Sequence, residues 1–251
     1  MKTDNDKSPM SDKKIVQLGR DMPAKRIKNI HTMAQVHTYN EAELQKQKII
    51  YAGMPDKKLL KIYRDIRTQL LKKSSGKNFV LLVTSLHDGG GASFNAINIA
   101  AAFSLDEAKT SILLDCNLQN SMAGSLGDFG NVQGLTDFLV NDEVSEEDII
   151  YASGVPRVRV VPSGSYTESG AEYVSSDRMK QLVQSLKKRY PDRFIIIDSP
   201  SLADSSEACI LAEISDYVLL VVPRGKVTVS QIKALQESVD RDKIAGFIFN
   251  D

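Results

Sequence analysis

The chain has 251 residues, 42% of them hydrophobic and 25% charged, and its 32 Lys and Arg are balanced by 32 Asp and Glu. A zero net charge argues against a nucleic-acid or polybasic membrane binder, and two cysteines without metal-ligand spacing (Cys116, Cys209) imply no disulfide framework and fit a reducing cytoplasm. No apolar run reaches the ~18 residues of a membrane span, and the polar start MKTDNDKSPMSDKK does not read as a secretory signal, so membrane contact is expected to go through a partner.

Residues 1–54 read as a polar N-terminal arm, its first ~20 residues disordered on composition, with a short helix over 41–50 and a segment that docks on the rest. The globular domain is expected over 55–251. It opens with an amphipathic helix over 56–73, in which Leu59, Ile62, Tyr63, Ile66 and Leu70 recur at i, i+3, i+4 spacing. Asp56 suits its start, and Lys72 and Lys73 its end. Arg64 and Arg67 flank the apolar stripe, where they form a solvated face or an oligomer contact.

From residue 79 onward, apolar runs alternate with helical segments. Strands are expected over 79–84, 111–115, 158–161, 194–198, 217–222 and 244–249, and helices over 95–103, 135–140, 146–151, 177–190, 206–214 and 229–240. Most of the runs are unbroken Ile, Val and Leu without polar alternation, as for parallel strands covered on both faces. The fold class is therefore α/β, a doubly wound, mostly parallel sheet flanked by helices. Ligands of such sheets sit beyond the carboxyl ends of the strands, so the polar residues found there carry the functional reading.

Three of these clusters matter. The first follows the strand over 79–84: Gly89-Gly90-Gly91-Ala92-Ser93-Phe94 leads into a helix. Glycines let backbone N–H groups converge on an anion, and the helix N-terminus adds partial positive charge; taken alone, three glycines are also a tight turn. The second is Asp115, closing Ile112-Leu113-Leu114-Asp115. An acid here can hold Mg²⁺ beside a phosphate loop, while in isolation a turn-capping Asp reads as well. The third is Asp198, closing Phe194-Ile195-Ile196-Ile197-Asp198 in the Walker B pattern, whose carboxylate orients Mg²⁺ through a coordinated water or serine.

Together these motifs resemble the bacterial tyrosine kinases of capsule and exopolysaccharide synthesis (the CpsD/CapB type), relatives of the MinD/ParA ATPases with a P-loop NTPase fold. The landmarks run in order as YRDIRTQLL, VTSLHDGGGASFNAINIA, ILLDCNL, VQGLTDFL, VVPSGS, SSDRMKQLVQSLKKRY, FIIIDSP and AEISDYVLLVVPRGKVT. The resemblance implies a nucleotide loop at Gly89–Phe94, a catalytic and metal role for Asp115 and Asp198 with Ser93 as a further Mg²⁺ ligand, and oligomerisation through Arg64 and Arg67 on the 56–73 helix. It also implies an inner-membrane chain-length or co-polymerase protein as partner, with the chain cytoplasmic and peripheral to the inner membrane.

Departures from the pattern decide the functional expectation. Ala92 stands where the family has the Walker A lysine, Asn117 replaces a second aspartate, Gln119 an arginine, and Lys61 a glutamate of the oligomerisation helix. The family's tyrosine-rich tail has no counterpart before Asp251. Losing a charge-assisted hydrogen bond costs ~1.5–3 kcal/mol, and losing an electrostatic transition-state donor ~10²–10³ in rate. A lysine from elsewhere, such as Lys226, would be needed to compensate. Asp88 brings negative charge to the loop, and His87 reads as a solvent-facing loop residue. The expected function is a non-catalytic regulator or scaffold of polysaccharide synthesis, holding Mg-ATP or Mg-ADP weakly or not at all. The alternatives are an active ATP-dependent tyrosine kinase or ATPase, and a MinD/ParA-like positioning factor.

Overall fold

The computed structural model describes residues 38–118, 120–130, 132–165, 169–228, 230–231 and 239–250. The expected helix over 229–240 and the expected disorder at the start of the arm lie mostly outside these residues.

Among the described residues, seven strands form one sheet in the order β3-β4-β2-β5-β1-β6-β7. They are β1 (Val80–Ser85), β2 (Thr110–Asp115), β3 (Tyr151–Ala152), β4 (Val158–Val161), β5 (Arg193–Asp198), β6 (Tyr217–Pro223) and β7 (Ile244–Asn250). All pairings are parallel except β3 with β4. The unbroken apolar runs follow from this. Alternate residues of one strand serve opposite faces, so Leu81 and Val83 enter one core and Val80 and Leu82 the other.

The helices are α1 (Glu41–Lys46), α2 (Lys57–Lys73), α3 (Ala92–Ser104), α4 (Leu135–Val140), α5 (Gly170–Val174), α6 (Asp177–Arg189) and α7 (Ser206–Ile214). Leu135, Met179, Leu182 and Leu211, on α4, α6 and α7, fill the core on one face. On the other face α3 lies against the sheet, and α2 and the strap at residues 49–54 lie over α3. A helix covered on both sides must be apolar all round and thin. Ala96, Ala100, Ala101 and Ala102 meet both demands, and only Ser93 and Phe94 of α3 are half-exposed. Phe79, Phe103, Phe194 and Tyr217 pack as one aromatic cluster beneath it, with Phe103 stacked on Phe194 at 4.1 Å.

Two local expectations differ from the structure. Residues 146–151 do not form a helix; they make a single 3₁₀ turn (Glu147–Ile149) and then β3. Asp148 accepts from the Ser145 amide at 2.9 Å, and its carbonyl accepts from the Tyr151 hydroxyl at 2.7 Å. That closes the turn and leaves Tyr151 and Ala152 to pair with Val160 and Arg159 of β4. The short helix α5 was not anticipated, since five residues carry too little periodicity. Within the arm, Ile49, Ile50, Tyr51 and Met54 are buried, so residues 49–54 are its docking part.

Candidate functional site

The glycine loop joins β1 to α3 at the carboxyl edge of the sheet. Its turn is closed at the His87 carbonyl, which accepts from the Ser85 hydroxyl (2.8 Å) and the Gly90 amide (3.1 Å). A side chain at Gly90 would meet Ser85. Gly91 has φ +90° and faces the Asn250 amide, so it too must stay glycine. Helix α3 begins immediately after, with no side-chain cap. The amides of its first turn therefore remain available to an anion in the adjoining pocket of about 440 Å³.

Strand register supplies the acids. Asp115 and Asp198 are paired positions on neighbouring β2 and β5, and each is 1% exposed. The Asp115 carboxylate is occupied by its own loop: it accepts from the Ser121 hydroxyl (2.6 Å) and the amides of Ala123 (3.1 Å) and Asn117 (3.2 Å). Burial pushes its pKa up to about 6 against the pull of those donors. Asp198 is likewise pushed up, first by burial and then by the Asp115 charge, while the Ser93 hydroxyl and Ser199 amide oppose the rise. One Asp198 oxygen, Oδ1, is buried with no hydrogen-bond partner among the described residues. An orphaned carboxylate oxygen beside a serine hydroxyl has the donor chemistry that suits Mg²⁺. The phosphate side is different. Ala92 is the first residue of α3, and no Lys, Arg or His is among the described residues lining the pocket, whereas Asp88 is.

Gly89–Phe94 and Asn117 line this pocket, while Asp198 meets Ser93 and lies beside Asp115 through the strand register. Lys226 is exposed on the β6–β7 connection and does not line the pocket. His87 Nε2 lies 3.2 Å from Gln231 Nε2 at the surface. Of the two arginines on α2, Arg64 is exposed, but Arg67 turns inward and donates to the Ala102 carbonyl near the end of α3 at 2.9 Å.

Three site contacts were not anticipated. The buried Tyr63 hydroxyl donates to Asn95 Oδ1 (2.9 Å), and Asn95 Nδ2 donates to the Gly91 carbonyl (2.8 Å). This line of bonds runs from α2 to the glycine loop. Burial pushes the Tyr63 phenol pKa up, so it stays a donor. Asn98 accepts from the Ile50 amide (2.9 Å) and donates to the Lys48 carbonyl (3.2 Å), tying the strap to α3. Asn250 donates to the Gly90 carbonyl at 3.2 Å. The available signal was two asparagines, at i and i+3, on an otherwise apolar helix.

No protein-family model matches the chain. It is 29% identical over 198 residues to tyrosine-protein kinase CpsD of Streptococcus agalactiae serotype III, across 77% of this chain and 83% of that protein. It is likewise 29% identical over 191 residues to tyrosine-protein kinase YwqD of Bacillus subtilis, across 75% and 79%. In structure, the kinase domain of Escherichia coli tyrosine kinase ETK aligns with a TM-score of 0.70 at 21% identity, covering 90% of this chain and 92% of that one. The Pyrococcus furiosus cell division ATPase MinD aligns at 0.56 and 21% identity, covering 68% and 70%. The chain is therefore similar in sequence to the CpsD-type bacterial tyrosine kinases, and it shares its mostly parallel-sheet fold with the ETK kinase domain and MinD.

Proposed function

We propose that this chain is a tyrosine-kinase-like P-loop protein that acts as a non-catalytic or weakly nucleotide-binding regulator of capsule or exopolysaccharide synthesis. On this reading it docks on an inner-membrane chain-length protein and is peripheral to that membrane. Among the described residues no helix is long and apolar enough to cross a membrane. The carrying observation is Ala92. It opens α3 at the anion end of the pocket, where no described lining residue is basic. Backbone amides orient a phosphate but bring no full charge to follow its transfer.

The chain's own residues support weak binding of a Mg-nucleotide. Loop amides and the α3 N-terminus receive phosphate oxygens, and Ser93 and Asp198 hold the metal side. Mg²⁺, when bound, neutralises phosphate charge. Asp115 is engaged by Ser121, Ala123 and Asn117, and so is poorly placed to take a proton as well.

Calorimetric titration with Mg-ATP and a phosphate-release assay on the purified protein test this. The expected result is a Kd near or above 1 mM and no turnover above background. Turnover abolished by Asp198→Ala would overturn the reading in favour of an active ATPase or kinase, the alternative that the intact Ser93–Asp198 contact favours.

A further inference from the structure

A cleft of about 1040 Å³, larger than the 440 Å³ pocket at the glycine loop, lies elsewhere on the molecule. It lies between the connection that follows β2 and the turn that follows β4, with Tyr39 on its rim. Its charged lining residues are acidic, Asp128 and Asp137, and no Lys, Arg or His is among the described residues lining it. Asp137 is held by the Gly134 amide (2.7 Å) and the Ser165 hydroxyl (2.6 Å), whereas Asp128 is exposed. Phe129, Val132 and Pro162 give the cleft an apolar side.

Tyr39 fixes where the N-terminal arm leaves the domain. Its amide donates to the Gly154 carbonyl at 2.7 Å, and its ring covers Gly154 so closely that no side chain would fit there. Thr38, the first described residue, is exposed and lies next to Tyr39 at the cleft. The stretch from residue 22 to residue 37 contains no Asp or Glu; it carries Lys25, Arg26 and Lys28 among Ile27, Ile30, Met33 and Val36. Basic and apolar groups in that segment thus match acidic and apolar groups in the cleft. The tether is short enough to matter. Arg26 is 13 residues from Tyr39, a reach of ~45 Å when extended and ~20 Å on average for a flexible chain. Such a tether gives an effective concentration on the order of 1 mM, so even millimolar intrinsic affinity fills the cleft about half the time.

We propose that residues 23–37 of this chain dock in cis in the Asp128–Asp137 cleft. The docking would reach the nucleotide side of the molecule, because Ser121 and Ala123 both line the cleft and both donate to Asp115. The arm would then hold the loop that holds the acid.

The test uses the full chain. Amide hydrogen exchange over residues 121–130 is compared between wild type and Lys25→Glu/Arg26→Glu/Lys28→Glu. The triple variant, which alters only the arm, is expected to exchange about fivefold faster there. Adding Asp128→Lys to it is expected to recover part of the protection, and 0.5 M NaCl is expected to remove protection from wild type. Zero-length carbodiimide coupling of wild type should join Lys25 or Lys28 to Asp128 within one chain. Equal exchange in wild type and triple variant would overturn the proposal. So would coupling found only in a dimer band, which would place a second copy's arm in the cleft.

Discussion

Ala92 opens α3 and presents only a methyl group to the pocket at the glycine loop. Replacing it by lysine adds a charge-assisted bond worth ~1.5–3 kcal/mol, so Ala92→Lys is expected to tighten Mg-ATP about 10–100-fold by titration. Asp198 carries the complementary prediction. Its folded pKa is raised, as is that of Asp115, at about 6. The folded chain therefore keeps protons that the unfolded chain releases near ~3.9. Stability from this pair is fully present below that value and is lost as pH rises through the folded values. Asp198→Asn, neutral at every pH, should stabilise the protein at pH 7 by about 1–3 kcal/mol, and its advantage over wild type should shrink as pH falls to 5 in thermal melts. An advantage that grew on acidification would contradict the account. Both acids were legible in the sequence because each closes an unbroken apolar run, and such runs end at the ligand edge of a parallel sheet. The closure of Asp115 by Ser121 and Ala123 was not, because it depends on how the chain bends after β2, and no pattern in residues 117–123 encodes that bend.

Helix α3 has an apolar period too uniform to assign a face, and its surroundings explain why: the sheet lies on one side, and α2 with the strap lies on the other. Its existence was legible; its two asparagines were not, since a polar residue on an apolar helix has no partner until a second element arrives. Tyr63→Phe should leave Asn95 Oδ1 buried without its donor and cost about 1–3 kcal/mol in denaturant unfolding. Combining it with Asn95→Leu should cost less than the sum of the two single changes, since removing both partners leaves no unpaired donor or acceptor between them. Strict additivity would mean that the two side chains do not act together. Residues 146–151 teach the reverse lesson. Their acidic, helix-favouring composition lost to a three-residue turn closed by Ser145 and Asp148, and to the pairing of Tyr151 with Val160.

Over the whole molecule, weak nucleotide binding has a thermal signature. With a Kd near 1 mM, 1 mM Mg-ATP stabilises the fold by only RT ln 2, ~0.4 kcal/mol, or about 1–2 °C in Tm for a domain of this size. Differential scanning fluorimetry should show a shift of that order for wild type and a larger one for Ala92→Lys. A wild-type shift beyond about 5 °C would require tight binding and would sink the weak-binding reading. The doubly wound class was readable from the order of apolar runs. The strand order was not, because neighbours in a parallel sheet are chosen by crossover geometry rather than by adjacency along the chain.

That strand order has a consequence for how the protein comes to exist. Strand β5 sits between β2 and β1, yet it leaves the ribosome roughly 80 residues after β2. Until then the two earliest strands of the central sheet have a one-strand gap between them. The strand that fills the gap carries Asp198 at its tip, beside Asp115 on one neighbour and below the glycine loop of the other. Closing the core and completing the acid pair are thus one event during synthesis. A nascent chain halted before residue 198 has the loop and the first acid but neither the sheet nor the site.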